Sequence, residues 1–146
     1  MSVGISVLDG APQQAGIWID EVDQAARCDD RQHAYRLLRA TLHALRDWVE
    51  PNQAADLGAQ LPVLIRGIYY EGWNPSSTPK HPHGKDEFVA AVQANFSRDP
   101  LHNADMQIAA VLSVLNRHVS PGQVEQMRNA LQKPLRALWP EPTDNT

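Results

Sequence analysis

Two histidines, His81 and His83, stand one residue apart in the segment KHPHGK and could share a transition metal ion. A structural metal site, however, needs about four ligands. No other Cys or His pair in the sequence has the spacing of metal ligands, and no Glu-x-x-His pair of the di-iron type occurs. We therefore interpret the two histidines as solvated loop residues, and we predict no metal site and no cofactor.

Arg66 and Arg136 are candidate anion ligands because they occupy matching positions in two similar segments of the chain. Their guanidinium groups could converge on an anion or a carboxylate if two halves of the chain pack around a pseudo-twofold axis. Each could instead bind carbonyls near a helix end in its own half. Tyr69, Tyr70 and Trp73 bring apolar surface with a polar tip, which suits a binding surface or the edge of a core. These five residues form the predicted ligand or partner surface.

No set of residues for nucleophilic catalysis is visible in the sequence. The single cysteine, Cys28, lies at a predicted helix end beside Asp29 and Asp30, whose charges disfavour its thiolate. Ser, His and Asp residues occur without a motif around them, and a glycine-rich loop that could cradle phosphate is absent. We therefore predict that the protein is not an enzyme.

The scaffold that positions these side chains is predicted to be helical. Ala and Leu are abundant, whereas β-branched and aromatic residues are scarce. Apolar residues at helical spacing predict three helices and a short fourth in the first half of the chain. The first helix runs from about Pro12 to Arg27, and Asp29 or Asp30 caps the second.

Prolines mark further helix boundaries. Pro51 is predicted to begin the third helix, and Pro62 to break it because proline lacks the donor for the helical hydrogen bond. In the second half, Asp99 and Pro100 are predicted as the cap and first position of the long helix. The residues of the short fourth helix that we expect to point inward are Leu64, Ile65 and Ile68.

The second half of the chain resembles the first at one fixed offset. VEPNQ (49–53) corresponds to VSPGQ (119–123), and residues 17–70 align on 87–140 without a gap, with 11 identical pairs. Any two amphipathic helix pairs could align by chance. Because turn residues match as well as core residues, we predict a tandem duplication.

The domain organisation follows from this repeat. We predict one all-α domain in which a three-to-four-helix unit occurs twice, packed as one helical bundle. The two repeats span about 12–73 and 85–140, and the Pro/Gly/Ser-rich segment 71–85 joins them as a loop. Residues 141–146 are expected to fray. The conformation of residues 1–11 is left open.

The family resemblance rests on three segments: AADLGAQLPVLIRGIYYEGW (54–73), the preceding DDRQHAYRLLRATLHALRDWV and the later LRALWP. They resemble the bacterial family called domain of unknown function 2267 (DUF2267). The opening VLDGAPQQAGIWIDEV is similar as well, with Leu8-Asp9 where the family usually has Phe-Asp. The resemblance covers about Val7 to Pro140. It implies a small helical bacterial protein and supplies no activity, cofactor or catalytic residue.

Charge and hydropathy exclude two classes of partner. The net charge is −4 without a basic stripe, so we predict no nucleic-acid partner. No apolar run reaches the length of a membrane span, and the opening MSVGISVLDG lacks the features of a secretory signal. One cysteine cannot form an internal disulfide, which fits a reducing compartment. We therefore predict a cytoplasmic protein with no membrane partner.

The function predicted from these observations is that of a non-catalytic protein-interaction or scaffold protein. Its partner would be an unknown protein or a second copy of the chain, bound at the predicted surface of arginines and aromatic residues. The alternative is a small-molecule or anion-binding protein that uses a cleft between the repeats.

Overall fold

The computed structural model describes residues 2–80 and 84–142, and within these ranges all regular structure is helical, with no strand. This confirms the all-α prediction. His81 and His83 lie outside the described residues. The helices are α1 (Ser6–Asp9), α2 (Ala11–Ala26), α3 (Arg31–Asp47), α4 (Pro51–Gly58), α5 (Val63–Tyr70), α6 (Lys85–Gln93), α7 (Ala104–His118), α8 (Pro121–Ala130) and α9 (Lys133–Arg136), with 3₁₀ turns at Pro75–Ser77 and Ala94–Phe96.

Side-chain caps begin α3 and α8, and the cap of α3 is one of the two residues predicted for it, Asp29 or Asp30. The Asp30 carboxylate accepts hydrogen bonds from the backbone N–H groups of Gln32 and His33, at 3.0 and 3.3 Å, and so begins α3. The Ser120 hydroxyl accepts from the N–H of Gln123, at 3.3 Å, and begins α8. Each cap satisfies a donor that has no partner inside the helix.

The start of α7 differs from the prediction. Asn103, and not Asp99, caps this helix, and its side chain accepts from the N–H of Met106 at 3.3 Å. The loop before α7 is bound to the end of α6, because the Gln93 side chain accepts from the N–H of Leu101 at 3.1 Å. Asn is as good a cap as Asp, so the first turn begins later in the chain than expected.

The helices of the two halves share one apolar core. α2 packs on both α3 and α7, α6 packs on α3, and α4 packs on α8. Two aromatic pairs join the halves reciprocally: Trp18 stacks on His118 with ring centroids 4.6 Å apart, and Phe88 meets the edge of Trp48 at 5.5 Å. Trp18 and Phe88 are each 1% exposed. The halves are therefore held together by buried apolar contacts.

No helix in the described part of the chain has the length and apolar character required to cross a bilayer. The break predicted at Pro62 is confirmed, since α4 ends at Gly58 and α5 begins at Val63. The expectation that Leu64 points inward is wrong, because its side chain is 43% exposed while Ile65 is fully buried. The outer face of α5 therefore carries apolar side chains.

Candidate functional site

The predicted aromatic residues lie together at the end of α5. The Tyr70 ring packs against Tyr69 with centroids 5.0 Å apart, and Trp73 packs against Tyr70 at 5.2 Å. Tyr69 is fully buried, and its hydroxyl donates to the carbonyl of Ala54 at 2.7 Å. Burial raises the pKa of Tyr69, so its hydroxyl stays a donor. Tyr69 is therefore a core residue, and only Tyr70 and Trp73 retain partial exposure.

Arg66 binds the carbonyl groups at the end of α4. Its Nε donates to Gly58 O at 2.9 Å, and its Nη2 donates to Leu61 O at 2.8 Å and Ala59 O at 3.3 Å. Gly58 is the last residue of α4, and Ala59 and Leu61 follow it, so their carbonyls lie where the helix no longer supplies its own donors. Arg66 thus closes a helix end, which is the second of the two roles that the sequence left open.

Arg136 does the same at the end of α8. Its Nε donates to Leu131 O at 2.9 Å and its Nη2 to Asn129 O at 3.1 Å. It lines a cleft of about 450 Å³ whose walls all come from residues 121–142. Of the five predicted residues, the structure brings Arg66, Tyr69, Tyr70 and Trp73 to one region, and it places Arg136 in this separate cleft.

Gly58 lets Tyr70 approach the backbone of α4, because a Cβ atom built there would overlap the Tyr70 hydroxyl and ring. In Gly58→Ala, the contact with the displaced Tyr70 ring should cost about 1–3 kcal/mol. The gain of about 1 kcal/mol in helix propensity offsets part of this cost, so we expect a net loss in the free energy of unfolding of up to about 2 kcal/mol. Urea unfolding followed by circular dichroism measures the change.

Gly67 supplies the matched control on α5. A Cβ atom at this position meets nothing within 4 Å. Gly67→Ala should therefore raise the free energy of unfolding by about 0.5–1 kcal/mol, the helix propensity of alanine alone. Equal responses of the two glycines would contradict the role assigned to the Tyr70 contact.

A cleft of about 380 Å³ lies between the halves, where the loop after α2 faces the loop before α7. Its lining includes Cys28 and His33 from the first half and Asp99, His102 and Gln107 from the second. His33 Nε2 lies 3.4 Å from Gln107 Oε1. None of the five predicted residues lines this cleft.

Sequence reasoning offered a cleft between the repeats but did not identify the residues that line this one, although a signal existed. Asp29 and Asp99 are an identical pair in the alignment of the two halves, and both stand in the loops that meet here. Asp99 is held in place by Arg36, whose Nη1 and Nη2 donate to its two carboxylate oxygens at 2.7 and 3.1 Å. Arg36 also lies over the Phe96 ring, 4.7 Å from its centroid. An ion pair between the halves therefore forms part of one wall of the cleft.

The thiol of Cys28 in this cleft is a weak nucleophile. Burial, and then the charges of Asp23 and Asp30, raise its pKa to about 11. The thiolate is therefore scarce at neutral pH, but the causes differ from the prediction: burial is the largest, and Asp23 acts with Asp30 in place of Asp29. Among residues 2–80 and 84–142, no three His, Cys, Asp or Glu side chains are placed to hold a metal ion.

The opening segment of the chain exposes apolar side chains in an ordered conformation. Asp9 orders it by accepting hydrogen bonds from the Val3 N–H at 2.8 Å and the Ser2 hydroxyl at 2.7 Å. α1 buries no residue. We name the N-terminal apolar surface for its four side chains, which are Val3 (63% exposed), Ile5 (54%), Val7 (74%) and Leu8 (47%).

Comparison with known proteins identifies a family. A family model described as "Uncharacterized conserved protein (DUF2267)" matches residues 16–138. That range takes in most of α2 and all of α3 to α9, and it leaves out α1 and the residues before it. No curated protein matches the chain.

Proposed function

The chain belongs to the DUF2267 family, whose description states no activity, and we propose that it is a non-catalytic interaction protein that pairs with a second copy of itself. The pairing surface is the N-terminal apolar surface. The observation that carries the proposal is the exposure of four large apolar side chains on a segment that Asp9 holds in one conformation. Large exposed apolar patches mark interaction sites, and these four side chains stand within one stretch of six residues.

The charge of this segment favours a second copy as the occupant. Between residues 1 and 19 the only charged side chain is Asp9, and its carboxylate is engaged by Ser2 and Val3. In a twofold dimer the same patch meets itself, so a charged patch would repel its own copy. The N-terminal apolar surface is nearly uncharged, so two copies of it can pack together without charge repulsion.

Light scattering coupled to size exclusion tests the pairing across a range of protein concentrations. The wild-type mass should rise towards that of a dimer, and Val7→Glu should remain a monomer because two carboxylates would face each other. Val63→Glu is the control, since Val63 is 45% exposed on α5, outside the N-terminal apolar surface. A wild-type mass that stays monomeric throughout, or a Val7→Glu mass equal to wild type, would contradict the proposal.

Tandem duplication is proposed as the origin of the fold. In its support, α4 and α8 begin at Pro51 and Pro121, which are aligned residues of the two halves, and α5 and α9 begin at the aligned residues Val63 and Lys133. The two cross-half aromatic pairs exchange under the same alignment. Arg66 binds the carbonyls of Ala59 and Leu61, and Arg136 binds those of the aligned residues Asn129 and Leu131.

A small-molecule binder is the second candidate function. The cleft between the halves supports it, because about 380 Å³ falls in the size range of ligand pockets, roughly 300–1,000 Å³. A thermal-shift screen of metabolites tests this candidate. A ligand at a hundred times its dissociation constant should stabilise the chain by about 2.7 kcal/mol. A hit whose shift persists in a His33→Ala, His102→Ala variant would exclude this cleft.

The cytoplasm is the proposed compartment. The support is compositional, since Cys28 is the single cysteine of the sequence and is a free thiol in the structure. Fractionation of the native host with antibody detection tests this placement, and recovery in the periplasmic or secreted fraction would contradict it.

A further inference from the structure

The cleft of about 450 Å³ beside Arg136 is built from α8, α9 and the residues that follow α9. Arg128 and Asn129 line it from α8, and Glu141 and Pro142 line it from the C-terminal segment. It shares no lining residue with the cleft between the halves or with the N-terminal apolar surface. An inference about it is therefore independent of the proposed pairing.

Arg128 holds a carboxylate in this cleft by a two-pronged contact. Its Nη1 donates to Glu141 Oε2 at 3.0 Å and its Nη2 donates to Glu141 Oε1 at 2.9 Å. This parallel arrangement is the geometry by which a guanidinium recognises a carboxylate. The Arg128 side chain is 22% exposed, but that of Glu141 is 81% exposed. The cation is thus part of the protein wall, whereas the carboxylate rests on it from solvent.

Arg128 and Arg136 both have N–H groups that do not bind Glu141. Arg128 Nε is buried and meets no acceptor in the described part of the chain. Arg136 adds a second guanidinium, fixed by its bonds to Leu131 O and Asn129 O. Two cations therefore line the cleft in fixed positions.

We propose that this cleft binds a carboxylate on an acidic, extended peptide segment of a partner protein, and that Glu141 occupies the carboxylate position in the free chain. Charge complementarity supports this occupant. Once Glu141 leaves, Glu125 is the one acid among the described residues that line the cleft with Arg128 and Arg136, so this lining carries net positive charge. A planar carboxylate accepts from both N–H groups of the guanidinium at once. A ligand with a single acceptor atom would use only one of these donors.

The sequence around Glu141 indicates the shape of the ligand. Pro140 and Pro142 flank it, and both prolines favour extended backbone. An exposed ion pair of this kind contributes little free energy, so an incoming carboxylate can displace Glu141. Glu141 therefore acts as a weak competitor attached to the chain.

A fluorescein-labelled Pro-Glu-Pro peptide is the probe, and its binding to the full chain is followed by fluorescence anisotropy. Glu141→Gln should bind the peptide about two- to five-fold more tightly than wild type, because removing the competitor frees the fork. Adding Arg128→Gln should weaken binding by about ten-fold or more. Arg98→Gln removes an exposed arginine outside the cleft, and it should leave binding unchanged.

A Pro-Gln-Pro peptide and an Arg128→Lys variant complete the test. Lysine keeps the charge and the packing of the side chain but lacks the fork, so weak binding by this folded variant supports the proposal. Equal binding by Lys and Arg at position 128 would overturn it, as would equal binding of the Glu and Gln peptides. No binding of Pro-Glu-Pro to the Glu141→Gln chain at millimolar concentration would also overturn it.

Discussion

Trp18→Ala is expected to lower the free energy of unfolding by about 3–5 kcal/mol, which is a large part of the stability of a domain of this size. Trp18 is 1% exposed on α2 and stacks on His118 of α7. Glu21, one turn further along α2, also contacts His118, and it lies 3.4 Å from Arg117. Truncating the indole leaves a cavity where the two halves meet, and the polar contacts around it lose their support.

Urea unfolding monitored by circular dichroism measures the effect of Trp18→Ala, with Trp18→Leu as the milder variant if the alanine variant does not fold. Ile17 is the control on the same helix because its side chain is 46% exposed. Ile17→Ala should change the free energy of unfolding by less than about 1 kcal/mol. A loss at Trp18 no larger than the loss at Ile17 would show that this contact does not hold the halves together.

Arg46→Ala is expected to lower the free energy of unfolding by about 3–5 kcal/mol, because removing this buried guanidinium leaves two backbone carbonyls and the Asp47 carboxylate without their donor. Arg46 is 5% exposed on α3. Its Nη1 donates to the carbonyls of Tyr69 and Glu71 at 2.6 and 2.8 Å, and its Nε donates to the Asp47 carboxylate at 3.2 Å. The guanidinium thus ties the end of α5 to α3.

Arg39 provides a matched control because it lies on the same helix and contacts the same residue. Its Nε donates to the Glu71 carboxylate at 2.9 Å, but its side chain is 35% exposed. Arg39→Ala should therefore cost about 1 kcal/mol or less. Urea denaturation of both variants is measured at low and at high salt. Salt should reduce the loss caused by Arg39→Ala, because salt screens an exposed ion pair, and it should leave the loss caused by Arg46→Ala nearly unchanged. Similar losses at both positions would contradict the importance of burial.

Local chemistry allowed the sequence to predict much of the helical structure. A cap for α3 at Asp29 or Asp30 was predicted, and Asp30 is the residue that forms it, because a capping side chain bonds to N–H groups within three residues of itself. The break at Pro62 was predicted because proline lacks a donor wherever it lies. The alignment of the halves was visible because their turn residues match at a fixed offset.

Contacts between distant residues decided what the sequence left open. Arg66 could have faced a ligand or a carbonyl, and the position of Gly58 relative to α5 settled the choice. The start of α7 moved to Asn103 because that residue competes with Asp99 as a cap, and Asp99 instead binds Arg36 of the other half. Leu64 stayed exposed because periodicity defines a helix face but does not define what covers it.

The sequence by itself therefore determined the helix class, most helix boundaries and the alignment of the two halves, because these depend on neighbouring residues and their spacing. The tertiary structure alone decided which side chains share a cleft. Arg128 meets Glu141, and His33 meets Gln107, only after the chain has folded. Side chains far apart in sequence meet where packing brings them together, and packing depends on all the helices at once.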